Sequence, residues 1–409
     1  MALVHIVGAG LAGLSAAVEL CEGAEVRLYE AAPQAGGRCR SYFDATLNML
    51  IDNGNHLLLS GNDAALAYAK KIGGADKLAG PDEAAFDFCD LARRERWRLR
   101  PNGGRLPWWI LAPDRRVPHT AGLDYLALAK LLFAKPDQTL RPILGTGEIA
   151  RKLWDPLFVS ALNTDPVEAS AALAGAIVRE TFAKGGDACR PLVAVEGLSA
   201  AFVDPALAFL QAKGAQIRFG AKLRAIEFGD DRVASLDFGE EKIALGAGDK
   251  VVLAVTPPVA TALVPGLKAP LEFRSIVNAH FAHTAPKTLP LLTGVIGGAT
   301  EWLFGFPERL SVTISAAERF LATPREELAE LIWGEVQTVA GFEAPLPAWQ
   351  IIKEKRATFA ATPEQDALRP PAQTQWRNLA LAGDWTRTGL PATIEGAIRS
   401  GVTAAKVLA

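Results

Sequence analysis

Residues 4 to 13, Val-His-Ile-Val-Gly-Ala-Gly-Leu-Ala-Gly, set a short apolar run directly against Gly8, Gly10 and Gly13. That order fits a strand running through a tight turn into a helix, the start of a nucleotide-binding βαβ unit. Gly8 serves the turn, Gly10 lets backbone approach a pyrophosphate, and Gly13 lets the helix pack against the strand. Leu11 and Ala12 open that helix, whose first N–H groups would face the phosphates. The pattern predicts strands over Leu3 to Val7 and Glu25 to Tyr29, with a helix over Leu11 to Leu20 between them. Glu30, at the end of the second strand, can accept hydrogen bonds from ribose hydroxyls and would repel a 2′-phosphate. The ligand is therefore FAD or NAD, and NADP is excluded.

Two further segments favour the flavin. Gly36-Gly37-Arg38 is a turn carrying a cation that can reach back toward the same pyrophosphate. Near the C-terminus, Leu379 to Asp384 reads as a short strand ending in Gly383 and Asp384, and Pro391 to Gly401 as a loop entering a helix. Amides near Ile394 would aim a positive dipole end at negative charge, which a flavin acquires on reduction and NAD does not.

Together with Val251 to Pro258, these segments resemble the flavin amine oxidase and phytoene desaturase superfamily. The resemblance implies an α/β fold with a Rossmann-like FAD-binding domain built from discontinuous segments, residues 1-75, 195-265 and 375-409. Beside it would stand an α+β substrate domain with a mixed sheet and helices, residues 76-194 and 266-374. By analogy Leu223, on a strand after Arg218-Phe219-Gly220, would meet the adenine through its backbone. Ala200 to Lys213 reads as a helix of the middle segment.

Three shorter stretches, Asp52 to Asn62, Leu153 to Leu157 running into Ala161-Leu-Asn163-Thr, and Ile276 to Phe281, resemble one branch, the squalene-associated FAD enzymes of hopanoid synthesis. Those enzymes are hydroxysqualene dehydroxylases, which use reduced FAD to replace an allylic hydroxyl with hydrogen. The resemblance thus implies a long-chain isoprenoid substrate. An oxidative desaturase of a carotenoid precursor is the alternative, and a non-enzymatic isoprenoid escort a third reading. Amine oxidases carry an aromatic residue where this chain has Thr393 and a lysine where it has Asn278, so amine oxidation is disfavoured. Without a cysteine before Gly383, FAD is expected to be held non-covalently.

The flavin ring is expected between Asn53, Gly54, Asn55 and His56 on one side and Thr393, Ile394 and Glu395 on the other. His56 is a candidate proton donor, with a hydrogen bond to cofactor or backbone as its plainer role. Alternation puts Asn278 and His280 on one face of a strand, where they either bind the substrate oxygen or form a satisfied core pair. Asp155, if apolar walls raise its pKa, and Asn163 are further candidates, although an Asp before proline often only caps a turn. Trp154, Phe158, Phe281, Trp302 and Phe304 could stabilise an allylic cation through their ring faces, or simply be core.

The rest of the composition sets limits. Half of the 409 residues are apolar and the formal charge is −2, so two sizeable cores are affordable and no strong field recruits nucleic acid. Arg93, Arg94, Arg96, Arg98 and Arg100 read as a solvated strand face. Cys21, Cys39, Cys89 and Cys189 lack metal spacing and read as reduced thiols of a cytoplasmic protein, with no signal peptide and no transmembrane helix. Leu123 to Ala134 is apolar around most of a helix, and reads as a buried core helix or a peripheral membrane contact.

Overall fold

The computed structural model describes residues 3–409. Leu3–Val7 lies at the centre of a five-stranded sheet in the order Gln216–Arg218, Glu25–Tyr29, Leu3–Val7, Lys250–Leu253, Leu379–Leu381, with every pairing parallel. Parallel sheets are covered on both faces, which is why Leu3–Val7, Lys250–Leu253 and Leu379–Leu381 are mostly buried apolar runs, whereas Glu25–Tyr29 alternates and the edge strand Gln216–Arg218 stays near solvent. The strands come from three distant parts of the chain, so the two ends of the sequence meet in one core.

Gly8 holds φ +105°, and a Cβ there would lie 2.3 Å from the Ala254 carbonyl oxygen. A Cβ at Gly13 would lie 1.9 Å from the Gly8 carbonyl oxygen. Both glycines are therefore demanded by protein packing. The Leu11–Leu20 helix crosses the C-terminal helix Ile394–Leu408 closely enough for the Ser15 hydroxyl to donate to the Ile398 carbonyl at 3.1 Å. The middle segment forms a wide π turn over Ser199–Val203 before its α-helix Asp204–Ala212 begins, because Pro205 has no N–H to continue the regular ladder.

A second sheet has seven strands in the order Trp349–Phe359, Phe273–Phe281, Leu310–Ile314, Trp302–Gly305, Leu292–Ile296, Phe86–Asp90, Glu95–Leu99. It is antiparallel except where Leu292–Ile296 runs parallel to Phe86–Asp90. One face carries Val277, Ala279, Phe281, Leu303, Val312 and Ile351 and is covered by Leu328, Ile332, Trp333 and Val336 of the helix Arg325–Ala340. The opposite face carries Asn278, His280, Ser311, Thr313, Trp302 and Phe304, because residues two apart in a strand share a side. In Glu95–Leu99 the same alternation exposes Arg96 and Arg98 and buries Trp97 and Leu99.

Two expectations change. Leu223 lies in an irregular link before the strand Ala225–Phe228, not within a strand; its N-terminal neighbour Ala221 donates its N–H to the Glu30 carbonyl at 2.9 Å. Leu123 to Ala134 is not a buried helix. It is a 3-10 turn, Gly122–Tyr125, followed by a six-residue helix, Leu126–Leu131, with Tyr125 and Leu131 turned inward while Leu123, Leu126 and Phe133 face outward. Among the described residues no helix is long and apolar enough to cross a membrane.

Candidate active site

The glycine turn presents bare backbone. Gly10 caps the Leu11–Leu20 helix without any side-chain hydrogen bond, and a Cβ built on Gly10 would find nothing within 4 Å. The first-turn N–H groups of Leu11, Ala12 and Gly13 thus face open space at the positive end of the helix. Gly37 packs on this turn, its ideal Cβ 3.5 Å from the Gly10 Cα, while the Gly36 N–H donates to the Ala9 carbonyl at 2.8 Å. Glu30 is fixed at the strand end, its carboxylate accepting from the Ala9 N–H at 2.7 Å and the Ala32 N–H at 2.8 Å. Arg38 aims at Asp384 rather than at the glycine turn. One Nη donates to both carboxylate oxygens at 2.7 Å and the other to the Ala357 carbonyl at 2.6 Å. This ion pair joins the first and last pieces of the nucleotide fold, and Asp384 holds the guanidinium pKa above its ordinary value.

The loop after strand Met49–Asp52 lies against the second sheet. Asn278 fills the space over Gly54, where a Cβ would come within 2.8 Å of the Asn278 amide nitrogen. A one-way chain of hydrogen bonds runs here. The Asn55 Nδ2 donates to the Thr313 Oγ1 at 3.2 Å, Thr313 donates to the Asn278 Oδ1 at 2.8 Å, and the Asn278 Nδ2 points at the Asn53 carbonyl at 3.4 Å. That direction leaves the buried Asn55 Oδ1 as an acceptor with no protein donor. A buried acceptor without a partner carries a substantial desolvation penalty, so the site suits a ligand that brings an N–H or O–H. Thr313 has no motif around it, and only the pairing of Asn278 with Thr313 across two strands reveals it.

His56 follows Asn55 and is partly enclosed; burial, then the Arg38 guanidinium, lowers its pKa to about 4. His280 is fully buried, its Nδ1 2.8 Å from the Ser311 hydroxyl, with burial and then Arg309 lowering its pKa to about 3. Both are neutral near pH 7. The His280–Ser311 pair matches the core alternative, although Nε2 has no partner.

The other acid and amide candidates lie at opposite ends of one helix, Asp155–Leu162, about 12 Å long. Asp155 accepts from the Arg141 Nη1 at 2.9 Å, and burial raises its pKa against that pairing. Asn163 ends the helix at φ +49°, accepts from the Ala316 N–H at 2.7 Å and donates to the Thr358 hydroxyl at 2.9 Å. Both ends of its amide are occupied in holding the chain, so the geometry assigns Asn163 to structure. Phe281 is corrected too: it faces the helix Arg325–Ala340, its ring 5.1 Å from Trp333, because odd-numbered residues of its strand point away from Asn278. Trp302 and Phe304 share the Asn278 face, with Trp302 against Phe88 at 5.8 Å. Trp154 and Phe158 pair 6.5 Å apart in the same large core.

At the C-terminal helix, Thr393 caps Ile394–Leu408 by accepting from the Gly396 N–H at 3.0 Å. Glu395, expected with Thr393 and Ile394 at the flavin, is instead engaged by protein: it is buried and accepts from the Ala64 and Ala65 N–H groups at 3.1 and 2.8 Å and from Arg399 at 2.6 Å. An uncapped helix start over bare glycine backbone, a carboxylate at the second strand end and an orphaned acceptor beside a sheet face of uncharged polar and aromatic side chains together fit a dinucleotide whose ring lies near Asn55.

Comparison with known proteins agrees with that geometry. The family profile of flavin-containing amine oxidoreductases matches residues 11–409. The hydroxysqualene dehydroxylase of Rhodopseudomonas palustris is 56% identical over 408 residues, covering 99% of this chain and 98% of that protein. The hydroxysqualene dehydroxylase of Sinorhizobium fredii is 54% identical over 404 residues, covering 98% and 97%. Among solved structures, the cyclohexylamine oxidase of Brevibacterium oxydans superposes with a TM-score of 0.68 at 18% identity, covering 100% of this chain and 98% of that one. The chain belongs to the flavin-containing amine oxidoreductase family, on the branch that contains these dehydroxylases. It is a flavin-dependent oxidoreductase, and amine oxidation is only one of the chemistries its fold supports.

Proposed function

We propose that this protein is a hydroxysqualene dehydroxylase that holds FAD non-covalently and converts hydroxysqualene to squalene. Residues 1-75, 195-265 and 375-409 would hold the cofactor, and residues 76-194 and 266-374 the isoprenoid. The observation that carries the reading is the uncharged amide chain Asn55–Thr313–Asn278 set beside Trp302 on a face of uncharged polar and aromatic side chains, in place of the lysine of amine oxidases. Reduced FAD supplies the hydride when bound. The protein's part is to place the hydroxyl-bearing carbon, exclude water and manage one proton. The hydroxyl must leave as water and so needs a proton on its oxygen; His56, next to Asn55, is the candidate to deliver it, its neutral N–H holding the oxygen and its imidazolium form, recharged from solvent, passing the proton. The faces of Trp302 and Phe304 can steady the allylic cation without attacking it. A substrate of this kind resides in lipid, so the same reading includes a cytoplasmic protein in peripheral contact with the membrane. The test is anaerobic incubation of the purified protein with hydroxysqualene and a flavin reductant. Squalene is the expected product, while conjugated double bonds formed from phytoene, with hydroxysqualene untouched, would replace the dehydroxylase by a desaturase.

A further inference from the structure

Fifteen large hydrophobic side chains are exposed among the described residues, and six of them, Leu106, Trp108, Leu111, Leu123, Leu126 and Phe133, fall between positions 106 and 133. They do not sit on separate surfaces. Leu111 leans on Gly122, whose Cβ would lie 3.3 Å from the Leu111 Cδ2, so the Trp108–Leu111 turn adjoins the turn that presents Leu123. Leu106, Leu123 and Phe133 are 78%, 77% and 85% exposed, values at which side chains of this size make almost no contact with their own protein. Single exposed leucines need no explanation, but a contiguous set marks an interaction surface.

Charge identifies the occupant. Arg105, Lys130 and Lys135 are exposed in the same stretch, and Arg115 lies over the Trp108 ring at 5.0 Å. The two acids within it are held locally, Asp114 by Arg100 at 2.8 Å and Asp124 by the Ala121 N–H at 2.7 Å. The chain as a whole carries a formal charge of −2, so this cationic rim is a local feature. Large apolar side chains ringed by Arg and Lys match the boundary between acyl chains and anionic headgroups. Beneath the surface, rings run inward in sequence: Trp109 to Tyr125 at 5.0 Å, Tyr125 to Trp154 at 5.6 Å, and Trp154 to Phe158 at 6.5 Å.

We propose that this surface docks on an anionic lipid bilayer and that the substrate leaves the bilayer beneath it, along the file of rings that ends at Trp154 and Phe158. The docking stands on the exposed residues alone, whereas the entrance rests on the isoprenoid reading above. Sedimentation of the flavin-loaded protein with phosphatidylcholine vesicles, with and without phosphatidylglycerol, tests the first part without any substrate. Binding is expected with phosphatidylglycerol, and at least about tenfold weaker without it or in a Leu123→Ser/Phe133→Ser variant that keeps its flavin absorbance and melting temperature. A Lys130→Glu/Lys135→Glu variant should lose the preference for anionic vesicles. Protein that stays in the supernatant at every lipid composition overturns docking, as does a serine variant that sediments like the parent. A lipid-free dimer that the serine variant converts to monomer overturns it too, since a second copy would then cover the patch. For the entrance, the serine variant should turn over detergent-dispersed hydroxysqualene normally and vesicle-embedded hydroxysqualene about tenfold more slowly. Equal rates in both media overturn the entrance, and failure of the parent to convert hydroxysqualene in either medium overturns the dehydroxylase reading while vesicle binding stands.

Discussion

A methyl group on Gly13 would meet the Gly8 carbonyl oxygen at 1.9 Å, whereas one on Gly10 would meet nothing within 4 Å, and Gly10 sits at φ −73° where alanine is at ease. The two glycines of one motif therefore do different jobs. Gly10→Ala should change the stability of the flavin-free protein by less than about 0.5 kcal/mol yet weaken FAD binding at least about tenfold, whereas Gly13→Ala should destabilise the fold by about 2 kcal/mol or more. Denaturant melts and flavin titration of both variants check this. Thr313→Val keeps the shape but strands the Asn55 amide and the Asn278 carbonyl; about 1–3 kcal/mol of stability should go, with turnover falling more than substrate affinity. Urea melts and a kcat–KM comparison measure it. His280 gives a pH signature. Its folded pKa of about 3 lies below the ordinary 6.5, so the unfolded chain takes up its proton first as pH falls. Stability should then decline from about pH 6.5 toward pH 3 by up to about 1.4 kcal/mol per unit, and His280→Asn should flatten that slope in urea melts taken at pH 5 and 7.

At the level of elements, Glu395 ties three helices together. Its carboxylate caps the Asp63–Ile72 helix through Ala64 and Ala65 and pairs with Arg399, which in turn holds Glu180 at the end of Ala171–Glu180. Arg399, with Lys184 in support, keeps the Glu180 pKa down at about 2 despite the opposing effect of burial. Glu395→Ala removes a charged cap and leaves the Arg399 Nε without its partner, so a loss of about 2–3 kcal/mol in urea unfolding is expected. Glu395→Gln should recover part of it by keeping one acceptor on the cap. The Glu395–Arg399 pair is an i,i+4 pair on one helix, but neither the cap on Ala64 nor the link to Glu180 is visible in sequence, because those partners are separated by much of the chain. The strand, helix and strand of residues 3–29 were legible, since their periods and glycines are local. The apolar run from Leu123 left a core helix and a membrane contact both open, because composition alone does not say on which side of a short helix the core lies.

For the whole molecule, the dinucleotide sheet is complete only when residues 216–218, 250–253 and 379–381 join the N-terminal strands, so segments from the two ends and the middle of the chain must meet to build it. No cysteine stands before Gly383 in the C-terminal segment, and all four cysteines are free thiols in the structure. Acid precipitation of the yellow protein should therefore leave FAD in the supernatant with its intact absorbance, and colour retained in the washed pellet would contradict non-covalent binding. The amino-acid sequence by itself determined the βαβ start, because glycine spacing and apolar strands are short-range signals tied to backbone geometry, while the discontinuous nucleotide fold was legible only through the resemblance to the amine oxidase and desaturase superfamily. Only the tertiary structure decided which polar candidates act together. It brought Thr313 to Asn55 and Asn278, engaged Asn163 with Ala316 and Thr358, and turned Phe281 to the far side of its sheet. The pairing of Thr313 with Asn278 and the facing of Phe281 depend on register between strands far apart in the chain, and a register shifted by one residue would have reversed both faces.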